Sequence, residues 1–207
     1  VQPSAVIRLC KYCGFSGFSE LQRLYRQEHV AAWPDYSTRL EQMRASGPVT
    51  SQRVLADFVE AGRASLAGVF DTVDMGDFDR AINLLSKAKL IHILGVRRAF
   101  PVASYLAYTF ANLGIPAVLH AGVGHMVQTR SIREGDVVLA VTYAPYSEET
   151  TGMIHQAHKA NVPVISLTDL AAAASLRADD VALTIREADV GAFRGLSASM
   201  TLATTLA

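Results

Sequence analysis

The sequence predicts an α/β protein, a doubly wound parallel sheet preceded by an all-helical segment. Five short apolar, β-rich runs lie beyond residue 89: LIHILGV, AVLHAG, DVVLAVTY, PVISLTD and VALTI. Helical stretches separate most of them. Near-continuous apolar strands alternating with helices indicate a parallel sheet covered on both faces. Right-handed crossovers then favour a doubly wound sandwich. The chain before these runs carries helical spacing and helix-ending punctuation instead.

Length and charge bound the alternatives. The 207 residues are half hydrophobic and carry no formal net charge at pH 7. That suffices for one sizeable domain, or a medium one with a small companion. Zero net charge argues against a protein coated in nucleic acid but leaves room for one basic face. No apolar run approaches a membrane span, and the start has no signal-peptide pattern. The two cysteines, Cys10 and Cys13, demand no oxidising compartment, so the expected location is cytoplasmic. The chain opens without methionine and closes on an unbroken helical pattern. The whole protein is therefore expected to extend in both directions.

The elements follow in order. Ser4 caps a helix from Ala5 to Cys13, which Gly14 ends in the left-handed conformation. Ser19 with Gln22 forms a capping box for a helix from Glu20 to about His29. Trp33-Pro34-Asp35 and Ser46-Gly47-Pro48 are breaks. From Ser51 to about Val73, Val54, Leu55, Phe58, Val59, Leu66, Val69 and Phe70 recur at helical spacing. They mark a connecting helix that packs against the larger domain or a partner chain. A further helix, Phe78 to Ala88, leads into the sheet, and Ala171 to Ala174 is alanine-rich helix. Ligands of open α/β sheets sit at the carboxyl ends of strands, at the topological switch point. Here those ends read VRRAF after the first strand and TYAPYSEET after the third.

These two loops hold the candidate ligand site. In LIHILGVRRAF, strand, bend and helix have the layout of a phosphate-binding loop. Gly95 is its only glycine, however, and Arg97 and Arg98 fill the bend. An arginine pair is a strong, bidentate anion clamp; the other reading is a salt-bridged structural loop. In VTYAPYSEET, Thr142, Tyr143, Tyr146, Ser147 and Thr150 bring hydroxyls to a helix start. Together with backbone N–H groups they can hold a phosphate or carboxylate; a capped helix without ligand is the alternative. Glu148 and Glu149 favour that helix start through its dipole. His125, beside His120 after the second strand, is a further ligand candidate. CKYC lacks a second cysteine pair, and His155 and His158 lack a third partner, so no metal or cofactor is expected. No nucleophile motif accompanies a base.

At the start, PSAVIRLCKYCGFSGFSELQ places Val6, Leu9, Cys10 and Cys13 on one helix face and Ser4, Ala5, Arg8 and Lys11 on another. Small residues let a backbone approach the major groove, and Arg and Lys reach base edges or phosphates. Arg8, Lys11, Arg23 and Arg26 against Glu20 make this segment basic. A solvated basic helix is the plainer alternative.

The stretch PSAVIRLCKYCGFSGFSELQRLYR resembles the second half of the helix-turn-helix domain of RpiR-type bacterial transcriptional regulators. It matches at Ser4, Val6, Arg8, Gly14, Phe15, Gly17, Phe18 and Leu21, with Cys13 where leucine is usual. Those regulators carry sugar isomerase (SIS) domains as sensors, and both ligand loops resemble SIS signatures. The pattern Ser-x-Ser-Gly-x-Thr-x-Asp/Glu-Thr meets Thr142, Ser147, Glu149 and Thr150 without gaps; Ala144 and Pro145 depart from it. The pattern Gly-x-Gly-x-Ser meets Gly95, but Arg97 stands at the second glycine and Ala99 at the serine. The resemblance implies a partial helix-turn-helix segment over 1–47, a connecting helix over 48–75 and a partial SIS-type effector domain over 76–207. It further implies operator DNA as partner, a small anionic effector, a homodimer or homotetramer, and no catalysis. A sugar-phosphate isomerase and a ligand-free SIS-like interaction module are the rival readings.

Overall fold

The computed structural model describes residues 3–12, 14–17, 36–45, 47, 49–121, 131–170, 177, 179–191 and 193–207. The five apolar runs become β1 (Ile91–Leu94), β2 (Ala117–Leu119), β3 (Val137–Thr142), β4 (Val164–Thr168) and β5 (Val181–Thr184). All pair in parallel, in the order β2-β1-β3-β4-β5. The chain steps outward from β1 in both directions, so the switch point lies between β1 and β3.

Side chains alternate across the sheet. One face carries Ile91, Ile93, Leu139, Val141, Ile165, Leu167 and Leu183 into the larger core, where Leu106, Phe110 and Leu202 meet them. That side is covered by α5 (Met75–Lys87), α6 (Phe100–Asn112) and α8 (Ser197–Leu206). The other face carries Leu94, Val138, Ala140 and Val164 against Met153, Ile154 and Ala157 of α7 (Glu148–Lys159). At about 25 cal/mol per Å² of apolar area buried, these two layers are the main source of stability.

The predicted connecting helix is two pieces. α3 (Ser51–Ala67) is capped by Thr50 and ends at Gly68, after which α4 (Val69–Thr72) continues. Buried Ser65 of α3 accepts a hydrogen bond from the Ala188 N–H at 2.8 Å, tying the helix to the chain after β5. Leu55, Val59, Leu66 and Phe70 stay exposed. α5 starts three residues before the sequence pattern implied, because Asp74 accepts from the Asp77 N–H and caps it.

Near the start, α1 runs Pro3–Tyr12, so Ser4 falls inside the helix rather than at its cap. Its end is as expected. Gly14 has φ +86°, its N–H donates to the Lys11 carbonyl, and the Phe15 N–H donates to the Cys10 carbonyl; this is the Schellman arrangement. Cys10 is buried; Arg8 and Lys11 are exposed. α2 covers Tyr36–Ala45. The expected helix over 20–29, the break at 33–35, Arg23, Arg26, His125 and the alanine-rich run at 171–174 lie outside the described residues. So do the side chains of Ser4, Ala5, Val6 and Leu9.

Candidate functional site

The carboxyl ends of β1 and β3 border a small open cleft. Six of the eight ligand candidates line it: Arg97, Arg98, Thr142, Tyr143, Ser147 and Thr150. Tyr146 stands beside it, with its hydroxyl donating to Asp169 Oδ1 at 2.8 Å.

The β1 side is an arginine loop. Arg97, Arg98 and Ala99 form a 3-10 turn that runs directly into α6. Gly95 is required there: a β-carbon would lie 2.8 Å from Ala103 Cβ and 2.9 Å from the Ala99 carbonyl oxygen. Arg97 adopts φ +54°, the left-handed region that glycine prefers. Its side chain is exposed. Arg98 turns inward, with its guanidinium 4.6 Å from the centre of the Tyr143 ring in a cation–π contact. Its Nη1 is buried and has no hydrogen-bond partner among the described residues. Burial, with the Arg194 charge adding to it, lowers the Arg98 pKa from its ordinary value.

The β3 side is made of hydroxyls. Ser147 caps α7, its Oγ accepting from the Thr150 N–H at 3.2 Å and meeting the Thr150 hydroxyl at 2.8 Å. Glu148 and Glu149 open the helix, as its dipole favours. Tyr143 is buried, and burial pushes its phenol up to about 12. Its hydroxyl has no hydrogen-bond partner among the described residues. The Ser199 hydroxyl that it faces gives its own hydrogen to Glu187 Oε1 at 2.7 Å.

Sequence reasoning missed the residues behind these loops. Asp169, just past β4, accepts from the Ala144 N–H at 3.0 Å, from Tyr146, and from Arg194 Nη1 at 3.0 Å. Glu187 accepts from Ser199 N–H and, more weakly, Ala198 N–H at the start of α8. Both carboxylates neighbour the cleft, and both are taken up by these bonds. On the opposite sheet face, buried His92 meets His120 Nε2 through Nδ1 at 2.9 Å and Asp136 Oδ2 through Nε2 at 3.1 Å. The partners lie 28 and 44 residues away, so only the strand order brings them together. His158 pairs with Asp180 at 2.7 Å, and His155 is exposed.

Residues 84–207 match the family described as the SIS domain. The chain belongs to the SIS domain family. It is 24% identical over 203 residues to the HTH-type transcriptional regulator YbbH of Bacillus subtilis, covering 97% of this chain and 69% of that protein. It is 26% identical over 161 residues to the arabinose 5-phosphate isomerase KdsD of Escherichia coli, covering 72% of this chain and 48% of that protein. The chain thus spans about half to two thirds of these relatives. Vibrio vulnificus NanR, solved in complex with ManNAc-6P, superposes with a TM-score of 0.66 at 22% identity, covering 98% of this chain and 72% of NanR. At that identity the likeness establishes the SIS fold. Regulators and sugar-phosphate isomerases both occur among the relatives, and no helix of the described residues is long and apolar enough to cross a membrane.

Proposed function

We propose that this chain is part of a DNA-binding transcriptional regulator whose SIS domain senses a small anionic metabolite, a sugar phosphate being the leading class. Residues 1–47 would be the DNA-binding segment, 48–75 the connector and 76–207 the effector domain, in a homodimer or homotetramer. The observation that carries the reading is Arg98. A buried guanidinium nitrogen without a partner, across a cleft from the capped start of α7, favours negative charge. The regulator relative extends over nearly the whole chain, and NanR supplies a phosphosugar precedent on this fold. On DNA, Ser4 and Ala5 would let the start of α1 approach the groove. Arg8 would reach a base edge and Lys11 a phosphate. Ligand binding would shift the population of domain arrangements and so the spacing of two recognition helices.

The KdsD relative favours a second reading, an isomerase. That chemistry needs a free base beside the substrate carbon acid. The two carboxylates behind the cleft are engaged with Arg194, Tyr146 and backbone N–H groups, which favours sensing over turnover.

The test is operator binding by the full-length protein, with sugar phosphates added. The expected result is a ligand-dependent change in DNA affinity and no aldose–ketose conversion. Arg8→Ala should cost about 1–3 kcal/mol per half-site and relax specificity at one position. Lys11→Ala should weaken all sequences alike and lower the salt slope by about one. Turnover surviving repurification would establish the isomerase instead. If neither substitution alters binding, α1 does not enter the groove.

A further inference from the structure

Two short antiparallel strands, β6 (Asp189–Val190) and β7 (Phe193–Arg194), stand apart from the parallel sheet. The hairpin reaches three parts of the molecule. Toward the cleft, Arg194 Nη1 donates to Asp169 Oδ2 at 3.0 Å, and the same carboxylate holds the Ala144 N–H and the Tyr146 hydroxyl. Ala144 lines the cleft. Toward the N-terminal helices, the Arg39 guanidinium of α2 lies 5.9 Å from the Phe193 ring centre. Gly191, at φ +51°, packs beside α2, where a β-carbon would sit at ordinary contact distance, 3.5 Å, from Met43 Cβ. Toward the connector, Ala188 is bonded to Ser65 of α3. Arg194 also braces the hairpin internally, its Nε lying 3.5 Å from Asp189 Oδ1.

We propose that the hairpin over 189–194 carries cleft occupancy to the helical segment, with Arg194 as the positioning residue that joins the two. The proposal rests on the reading of the cleft as an anion site. The Arg194 and Asp169 side chains are only 17% and 20% exposed, so their charge-assisted bond is shielded from water and holds a defined geometry. Arg98 lies within electrostatic reach of both. An anion at Arg98 repels the Asp169 carboxylate and attracts Arg194. It also draws on the loop that Asp169 holds through Ala144 and Tyr146. Either force acts on the Asp169–Arg194 bond, and Arg194 ends the strand that also carries Phe193, whose ring meets Arg39 of α2.

Hydrogen exchange on the full chain, with inorganic phosphate as the probe, tests this. In the unmodified protein, saturating phosphate should slow exchange at 144–150 and change it by about threefold or more at 189–194 and 36–45. In Arg194→Ala the response at 144–150 should persist and that at 36–45 should be lost. Phe193→Ala, which spares the Arg194–Asp169 pair, should keep the responses at 144–150 and 189–194 and lose the one at 36–45. A response at 144–150 without one at 36–45 in the unmodified protein overturns the hairpin's role and leaves the cleft reading standing. So does a response at 36–45 that survives both substitutions. No response at 144–150 overturns the cleft reading, and the hairpin proposal with it.

Discussion

The two walls of the cleft solve the problem of a strand end in opposite ways. At the end of β3, Ser147 and Thr150 satisfy one another and the first turn of α7, while the buried Tyr143 hydroxyl has no hydrogen-bond partner among the described residues. At the end of β1, Arg97 holds a backbone conformation disfavoured for its side chain, and Arg98 buries a nitrogen without a hydrogen-bond partner among the described residues. A left-handed non-glycine residue and an orphaned buried donor each cost about 1–3 kcal/mol. The walls thus differ in what they leave unsatisfied among the described residues: a phenol hydroxyl on the β3 side, a guanidinium nitrogen and a left-handed backbone on the β1 side.

The sharpest way to break that contrast is Arg98→Ala. Sugar-phosphate binding followed by calorimetry should weaken by about 2–4 kcal/mol, because a desolvated charge-assisted contact is lost. Unchanged binding would assign Arg98 to packing on Tyr143.

Next comes alkaline pH. The folded pKa of Tyr143 is raised to about 12 from an ordinary 10, so its contribution is fully present below pH 10 and is lost as pH rises through 12. Tyr143→Phe should remove roughly 2–3 kcal/mol of the stability lost between pH 10 and 12. At neutral pH it should change stability by no more than about 1 kcal/mol, since the hydroxyl has no partner to lose. Urea midpoints at both ends of that range would decide it.

On the hydroxyl wall, Ser147→Ala should lower stability by about 1 kcal/mol, the usual worth of a cap. A melting curve unaffected by it would mean that the Thr150 hydroxyl replaces the cap. The smallest effect belongs to Arg97→Gly. For one exposed residue the left-handed backbone costs about 1 kcal/mol, the low end for such a conformation, so its relief and the greater freedom of glycine in the unfolded chain nearly cancel. Stability should rise by about 0.5 kcal/mol or less, and ligand affinity should change by under about 1 kcal/mol because the side chain is exposed. A large loss of affinity would make the two arginines a pair.

Much of this was legible in the sequence, for local reasons. The five strands announced themselves because strands buried on both faces are apolar throughout. Gly14 was readable because a helix end is decided by the residue at its boundary. Arg97 and Arg98 stood out because they occupy positions where a bend wants small residues. Tyr146 reads like its neighbouring hydroxyls in sequence, and its bond to Asp169, 23 residues on, has no local signal. Arg194 and His92 were invisible for the same reason. Their partners lie far along the chain, and no pattern of spacing encodes which strand ends will meet.

The buried chain of His92, His120 and Asp136 has a consequence of its own. A carboxylate only accepts, so Asp136 fixes a proton on His92 Nε2; with His92 neutral, Nδ1 accepts and His120 donates. One acidic group at the foot of β3 thereby dictates the tautomer of two imidazoles across β1 and at the end of β2. It works as a polar key for the alignment of three strands. Sliding β1 by a single residue would turn His92 into the apolar core on the other face and leave Asp136 and His120 without it. Edge strand β2 is only three residues long and half-buried, so the grip that aligns it with β1 comes from chemistry as much as from hydrophobic burial.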